Sequence, residues 1–168
     1  MTRRRVSVRA AAMEDCRRVW EWRNARGSRA ASFTTREIPY AEHQEWFARA
    51  VVDPGVRFFI VLCDGRAVGY VRFVISGEDA EISVGIDHEE QGKGYGTAAI
   101  AIASQVVLAG QVLRIIAHVK TSNPASRTAF ERAGFFLGGT TRIAGVEAWE
   151  LVSHRKTDSA DGRRPAPG

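Results

Sequence analysis

A glycine-rich run at residues 90–97, with the sequence EQGKGYGT, constrains this chain more than any other feature. It follows a predicted strand and opens an alanine-rich helix. Three glycines at alternate positions let the backbone adopt positive φ and let a ligand approach the main chain closely. Several amide N–H groups can then converge on one anion, and the positive end of the helix adds to the attraction. Lys93 contributes a full positive charge, so the run suits a diphosphate, although a glycine-rich turn without a ligand is the alternative.

The spacing of these glycines differs from that of two well-known phosphate loops. A P-loop has four residues between its glycines and continues with Gly-Lys-Ser/Thr. A dinucleotide-binding loop reads G-x-G-x-x-G and is followed by an acidic residue about 20 positions later. Here the pattern is G-x-G-x-G, and the predicted strand at 113–118 offers no acid. The spacing therefore excludes both loops.

The chain has 168 residues, which fits one domain with a sizeable core. Its net charge of +5 comes largely from the ends, because removing the terminal charges leaves 16 basic and 17 acidic residues. Such a near-neutral body argues against a nucleic-acid partner, and solubilising tails explain the basic balance better. The terminal basic residues are Arg3, Arg4, Arg5, Arg9, Arg155, Lys156, Arg163 and Arg164.

Cysteine usage and hydropathy indicate a cytoplasmic protein. Cys16 and Cys63 form neither a metal-ligand spacing nor a disulfide framework, and each is expected to pack as a small apolar residue. Arg9 interrupts any apolar stretch at the amino end, so no signal peptide is predicted. No apolar run approaches the ~18 residues of a membrane span. We therefore expect no metal and no membrane partner, while a homodimer is possible.

The pattern of apolar residues predicts a mixed sheet with helices on both faces, in a single domain at 1–152 followed by a disordered tail at 153–168. Asn123 and Pro124 favour the start of the last helix, and Gly134 favours its end. The predicted strands are 6–9, 57–63, 66–75, 80–86, 111–120, 135–137 and 146–152. The predicted helices are 13–23, 40–51, 95–109 and 123–134, with an irregular or weakly helical stretch at 25–37.

Three segments together resemble the GNAT superfamily of acetyl-CoA-dependent N-acetyltransferases. They are the strand at 81–86, the Q-x-x-G-x-G loop at 91–96, and the N-x-x-S segment at 123–126 that is followed by Gly134-Phe135. The resemblance runs from about Val6 to Val152. It implies an α/β fold with a mostly antiparallel sheet of six to seven strands that splays between the fourth and fifth strands. It also implies acetyl-CoA as cosubstrate and no metal.

The resemblance assigns most of the coenzyme site to this loop and to the strand before it. The amides of 92–96 would hold the pyrophosphate, the strand at 84–86 would pair with the pantetheine arm, and Gly85 would allow a bulge that splays the sheet. A main-chain N–H near Ile86 would stabilise the oxyanion. The expected coenzyme-binding residues are Val84, Gly85, Ile86, Gln91, Gly92, Lys93, Gly94, Tyr95, Gly96, Thr97, Asn123, Ser126 and Phe130.

A finer resemblance concerns the amine acceptor. Residues 21–24, 32–33 and 42–47 look like a branch that acetylates the 4-amino group of nucleotide-linked amino sugars, including pseudaminic-acid-pathway enzymes. Ribosomal-protein amino-terminal acetyltransferases share part of this pattern. Trp22 lies off the apolar stripe of its helix, which suggests exposure in a cleft, although both tryptophans could instead be core residues and Arg23 a solvated charge. The expected acceptor-binding residues are Trp22, Arg23, Asn24, His43 and Trp46.

Acetyl transfer needs a base, because an ammonium group must lose a proton before it attacks the thioester. Strand alternation places Glu81 and Ser83 on one face beside the expected thioester, so Glu81 is the leading base candidate and Ser83 a possible proton donor. His118 and then His43 are further candidates for the base. Many members of the superfamily have Tyr seven residues after the Asn as the acid, but this chain has Phe130 there.

Three functions are compatible with these residues. The first is an N-acetyltransferase for an amino sugar or another small amine, which predicts a basic, aromatic-lined pocket. The second is a protein amino-terminal acetyltransferase, which predicts an open groove. The third is a non-catalytic acetyl-CoA-binding protein, which Phe130 suggests and which would release no thiol with any amine.

Overall fold

The computed structural model describes residues 3–157 and forms a seven-stranded sheet in the order β1-β2-β3-β4-β5-β7-β6. All neighbouring strands are antiparallel except β4 and β5, which are parallel. This arrangement confirms the predicted mixed, mostly antiparallel sheet. The strands are β1 Val6–Ala10, β2 Val56–Cys63, β3 Arg66–Ser76, β4 Asp79–Ile86, β5 Arg114–Lys120, β6 Phe136–Ile143 and β7 Val146–His154.

Residues 3–157 contain five helices, where four helices and a weakly helical stretch were predicted, and they lie on both faces of the sheet as expected. 3-10 turns at Met13–Asp15 and His88–Glu90 precede α1 and α4. None of the helices in the described part of the chain is long and apolar enough to cross a membrane. The irregular stretch expected at 25–37 contains one short helix, α2. The helices are α1 Cys16–Asn24, α2 Arg26–Ala31, α3 Tyr40–Ala50, α4 Tyr95–Leu108 and α5 Pro124–Arg132.

Two separate apolar cores hold these layers together. On one face, α1 and α3 bury Val19 and Phe47 against Phe58 and Ile60 of β2. On the other face, α4 packs across the sheet and α5 packs on β5, β6 and β7. Cys16 lies in the first core and Cys63 in the second, both as buried free thiols, in agreement with the predicted packing.

The helix-end signals in the sequence act as predicted. The Asn123 side chain accepts a hydrogen bond from the Ser126 amide at 3.2 Å, and Pro124 is the first residue of α5. Gly134 follows the helix with φ +101°, a conformation that favours glycine. These local signals fix both ends of α5.

The sheet opens between β4 and β5. Their ladder contains three pairs, from Asp79↔Arg114 to Glu81↔Ile116, and β4 then continues without β5 as its neighbour. The expected bulge at Gly85 is wrong, because β3 and β4 stay in unbroken register from Gly69↔Ile86 to Ser76↔Asp79. The splay therefore arises from the divergence of β5.

The carboxyl end of the sheet differs from the predicted boundary. β7 continues to His154, two residues beyond the predicted end of the domain at 152. The Arg155 side chain then donates hydrogen bonds to the carbonyls of Leu108 and Val112 at 2.7 and 3.1 Å, and also to that of Gly110. Residues 153–157 are thus ordered, and the rest of the predicted tail, 158–168, lies outside the described residues.

Candidate active site

The glycine-rich run forms a cradle of main-chain amides at the start of α4. Gly92 and Gly94 have φ of +75° and +83°, and Gly94 is the N-cap of the helix. A Cβ at either position would meet nothing within 4 Å, so glycine is needed there for conformation rather than for space. Within residues 3–157, no main-chain acceptor pairs with the amides of 92–97. The loop therefore offers free N–H donors to an anion at a helix amino end.

Lys93 is not a free cation, in contrast to the expectation from sequence. Its ammonium lies 2.9 Å from the Glu90 carboxylate, which also accepts from Arg66 at 2.6 Å. Arg66 and Lys93 together lower the pKa of Glu90 to about 2. Beside this cluster, the buried Tyr95 hydroxyl accepts a hydrogen bond from Arg4. Both contacts fix the loop, and the attraction for phosphate rests mainly on the amides.

The unpaired edge of β4 leads from this cradle into the opening of the sheet. Residues 82–86 lie beyond the last pair with β5, so their main-chain groups on that side are available to an extended ligand. The Gln91 side chain donates to the Ile86 carbonyl at 3.2 Å and ties the loop to the end of the strand. Thr97 and Gly96, in the first turn of α4, are half-buried beside it.

Helix α5 packs on α4 and on β5, the strand that forms the other side of the opening. Asn123 and Ser126 are occupied in the helix cap, and both are half-buried. Phe130 is 5% exposed and packs edge-to-face on Phe135, with ring centroids 5.1 Å apart. It is therefore a core residue and supplies no proton. The identity of the acid has to be sought elsewhere.

On the face of the sheet that α1 and α3 cover, two arginines flank one tryptophan. The guanidinium of Arg23, on α1, lies 4.2 Å from the Trp46 ring centroid, and that of Arg72, on β3, lies 5.1 Å away. Arg72 also donates to the Ser83 hydroxyl at 3.4 Å. Burial lowers the pKa of both arginines. Among the described residues, neither forms a salt bridge with a carboxylate.

An imidazole lies between two carboxylates on the same face. His118 of β5 has Nε2 at 3.3 Å from the Glu150 carboxylate of β7 and Nδ1 at 3.8 Å from that of Glu81. Nδ1 is buried and has no hydrogen-bond partner among the described residues. Glu81 is the most open of the three, with 62% of its side chain exposed. The structure thus brings the two leading base candidates together and adds Glu150.

Three residues expected to contact the acceptor have structural roles instead. Trp22 is 6% exposed, and its indole N–H donates to Asp87 at 3.0 Å, so the expected exposure is wrong. The Asn24 amide exchanges two hydrogen bonds of 2.8 Å with the main chain of Ile38. His43 is fully buried, with Nε2 at 2.9 Å from the Cys16 carbonyl.

Three polar residues near the opening, Arg72, Glu150 and Tyr70, were not predicted from the sequence as site residues. Arg72 and Tyr70 lie directly opposite Ser83 and Gly85 in the β3–β4 ladder. Strand alternation along β3 would have placed both on the same face as Ser83, but only once the register was known. Glu150 lies opposite His118 across a ladder that joins residues distant in sequence.

A cradle of free amides, an open strand edge beside it and the carboxylates around His118 are groups that a coenzyme-dependent acyl transferase needs. The family model for the acetyltransferase (GNAT) domain matches residues 5–136. The chain therefore belongs to the GNAT acetyltransferase family, and it is an acetyl-CoA-dependent N-acetyltransferase.

Solved structures with the same fold include enzymes bound to coenzyme A. One is the aminoglycoside acetyltransferase AAC(6')-Ib with coenzyme A and kanamycin, at 21% identity and a TM-score of 0.78, covering 90% of this chain and 95% of that one. Another is spermidine N-acetyltransferase from Vibrio cholerae with coenzyme A and spermine, also at 21% identity and 0.78, covering 89% and 95%. No curated protein sequence matches the chain.

The residues present fit acetyl-CoA. The amides of 92–97 suit its pyrophosphate, and the edge of β4 at 82–86 suits its pantetheine arm. The described part of the chain contains no group of three or more His, Cys, Asp or Glu side chains that could hold a metal ion. When bound, acetyl-CoA supplies the activated acetyl group, and the protein supplies position and proton transfer.

Proposed function

We propose that the protein acetylates the primary amine of a small molecule that also carries an anionic group, and that a nucleotide-linked amino sugar is the best candidate. The observation that supports this proposal is the pair Arg23 and Arg72, which flank Trp46 without a carboxylate partner among the described residues. Trp46 can cover a sugar face or stack on a base, and the two cations can bind phosphate.

Electrostatics favour an anionic acceptor over a polycationic one. Burial removes hydration from both guanidinium groups and lowers their pKa, and the nearest carboxylates, Glu42 and Glu81, lie too far away for a salt bridge with them. A phosphate or carboxylate would offset this loss through charge-assisted hydrogen bonds. A polyamine such as spermine carries several ammonium groups and would be repelled by the same pair.

A carboxylate that can accept the proton of the acceptor amine lies beside this pocket. We assign Glu81 as the base, because it is exposed, lies at the last β4–β5 pair where the opening begins, and shares a face with Ser83. His118 stands behind Glu81, and Glu150 orients the imidazole from its other side. A main-chain N–H near Ile86 would stabilise the oxyanion during transfer.

The first test is a thiol-release assay with acetyl-CoA and a panel of amines. The panel contains nucleotide-linked 4-amino sugars, the same sugars without the nucleotide, spermine and short peptides. We expect activity on the nucleotide-linked sugars. Activity confined to peptides would support an amino-terminal acetyltransferase and overturn the proposal, and activity confined to spermine would overturn the argument from charge.

Arg72→Gln tests the anion site directly. We expect KM for the nucleotide-linked acceptor to rise roughly ten- to a hundred-fold, which corresponds to the loss of one charged hydrogen bond, with KM for acetyl-CoA unchanged. Arg49→Gln, at an exposed position on the same helix as Trp46, is the matched control and should leave both constants unchanged. An acceptor KM that is equal in all three proteins would remove Arg72 from the site.

Two further expectations accompany this proposal. The free thiols Cys16 and Cys63 fit a reducing compartment, so we place the enzyme in the cytoplasm. A homodimer also stays a prediction, and light scattering of the purified protein would test it.

A further inference from the structure

We propose that the Tyr70 hydroxyl is the acid that protonates the coenzyme sulfur, in place of the tyrosine that Phe130 replaces. The inference rests on acetyl transfer from acetyl-CoA and is independent of the acceptor. The chain has three tyrosines, Tyr40, Tyr70 and Tyr95. Tyr95 is buried under the phosphate cradle against Arg4, and Tyr40 packs on Trp20, away from β4. Tyr70 differs from both because it lies on the strand that borders the open edge.

The Tyr70 ring crosses β4 at Gly85. The two residues are direct partners in the β3–β4 ladder. A Cβ at Gly85 would lie 2.4 Å from Cε1, 2.8 Å from Cζ and 3.1 Å from the hydroxyl oxygen of Tyr70. The outer end of the ring therefore lies over the β4 main chain, where that strand has already parted from β5. Glycine is required at 85 so that the hydroxyl can reach this point.

The ring is held firmly while its hydroxyl is free. Trp22 stacks on Tyr70 with centroids 6.5 Å apart, and Phe58 packs on it at 5.7 Å. The hydrogen bond from Trp22 to Asp87 fixes the stacking partner to the end of β4. No hydrogen bond ties the Tyr70 hydroxyl to another group of residues 3–157. Its proton is thus available to a ligand in the opening.

The surrounding charges suit an acid that is briefly ionised. Burial raises the pKa of Tyr70, which keeps the hydroxyl protonated at neutral pH, while Arg23 from α1 and Arg72 from β3 act in the opposite direction. His43 on α3 faces Arg23, and Asp87 on the β4 side is bonded to Trp22. The two guanidinium groups would therefore stabilise the tyrosinate that proton donation leaves.

The step balances without any further reactant. As the carbon–sulfur bond breaks, its electron pair stays on sulfur, and the Tyr70 proton moves to that sulfur. The ammonium of the acceptor has earlier lost one proton through Glu81 to bulk water, and the attacking nitrogen gives a second proton to Glu81 as the amide forms. A proton returns from Glu81 to the Tyr70 oxygen through water on the shared face of β4. The products are the acetylated amine and the free thiol.

The decisive experiment measures the pKa of the thiol of coenzyme A bound to the protein, from the ultraviolet absorbance of the thiolate. A hydroxyl that donates to the sulfur stabilises the thiolate, so the bound thiol should have a pKa about 1 lower in the wild type than in Tyr70→Phe. The measurement needs no acceptor. Failure of the amino-sugar proposal would therefore leave this result unaffected.

Turnover supplies the second readout. With any accepted amine, Tyr70→Phe should lower kcat about 100-fold, near the lower end for acid–base catalysis because a thiol of pKa ~8.5 leaves fairly well by itself. KM for acetyl-CoA should not change. Tyr40→Phe is the matched control and should match the wild type in thiol pKa and in kcat.

Equal thiol pKa values in wild type and Tyr70→Phe, or equal kcat, would overturn the proposal. If Tyr70→Phe does not fold, the wild type can be examined with 13C-labelled tyrosine. The ring signals are assigned with Tyr40→Phe and Tyr95→Phe. A shift of the Tyr70 signal on addition of coenzyme A that is absent with a nucleotide lacking the thiol arm supports the contact, and no such shift overturns it.

Discussion

At the scale of single residues, the candidate proton-transfer side chains beside the opening come from three different strands. Glu81 comes from β4, His118 from β5 and Glu150 from β7. Glu150 lies within hydrogen-bond distance of the imidazole at 3.3 Å, whereas Glu81 at 3.8 Å does not. Glu81 thus stays free to accept a proton from a ligand, as the proposed mechanism requires.

Glu81→Gln tests the base. We expect kcat to fall roughly 100-fold or more, because proton transfer to a positioned group typically contributes this much. The dependence of kcat on pH should also change, while the dissociation constant of coenzyme A stays the same. Glu45→Gln, at an exposed position on α3, is the control and should behave as the wild type. An unchanged pH profile in Glu81→Gln would eliminate this residue as the base.

Residues whose roles could be predicted from the sequence depend on neighbours a few positions away, whereas the others depend on residues distant in the chain. The glycine run, the Asn123 cap and Gly134 depend on φ and on neighbours within a few positions, so their roles were predictable. The burial of Trp22 depends on Asp87, which is 65 positions away. Tyr70 depends in the same way on the register of β3 with β4. Helical periodicity contains no information on such partners.

At the scale of elements, two ion pairs of the Glu90 carboxylate, together called the clasp, join the glycine-rich loop to the β2–β3 hairpin. Arg66 begins β3, Lys93 lies in the loop, and both contact the same carboxylate. These two ion pairs hold the glycine-rich loop in a fixed position on the hairpin. The Lys93 ammonium, which was expected to attract the phosphates, is paired with Glu90 and thereby positions the loop.

The clasp predicts a defined response to acid. The pKa of Glu90 is about 2, below its ordinary 4.5, so its contribution to stability is complete above pH 4.5 and is lost as the pH falls towards 2. Glu90→Gln should melt at a lower temperature at neutral pH, and its melting temperature should depend less on pH across that range. Thermal melting followed by circular dichroism at several pH values would measure both effects.

Glu131→Gln is a suitable comparison, since it removes an exposed pair with Arg127 within α5. Exposed pairs of this kind contribute little, so this variant should melt close to the wild type. If Glu90→Gln and Glu131→Gln showed the same pH dependence, the clasp would have no special role.

Within residues 3–157, the sequence located every strand except β6, and every helix except α2, to within about three residues. The errors occur where tertiary contacts decide. β6 extends to Ile143 because β7 pairs with it, whereas its isolated sequence, rich in Gly and Thr, indicated a strand of three residues. The ordered residues after Val152 depend likewise on β5, which pairs with Ser153 and His154.

At the scale of the whole molecule, three residue pairs join β4 to β5 directly. Acetyl-CoA would pair with the remaining edge of β4, which has no neighbouring strand. Acetyl-CoA should therefore stabilise the entire domain. At a concentration one hundred times its dissociation constant, linkage gives about 2.7 kcal/mol, or roughly 5–11 °C in melting temperature for a chain of this size. Amide hydrogen exchange should slow at 82–86 and at 92–97.

Adenosine diphosphate offers a matched comparison, because it has the twin phosphates and lacks the pantetheine arm. It should protect the amides of 92–97 and leave those of 82–86 unchanged. Protection of 82–86 by both ligands would contradict pairing of the arm with β4.

The two apolar cores lie on opposite faces of the sheet and have no residue in common. Substitutions in α1, α2 and α3 can therefore reshape the amine pocket while the packing under the coenzyme stays intact. Such a division would let a lineage of these enzymes exchange one amine for another by drift in these three helices, without ever passing through a form that has lost its acetyl donor.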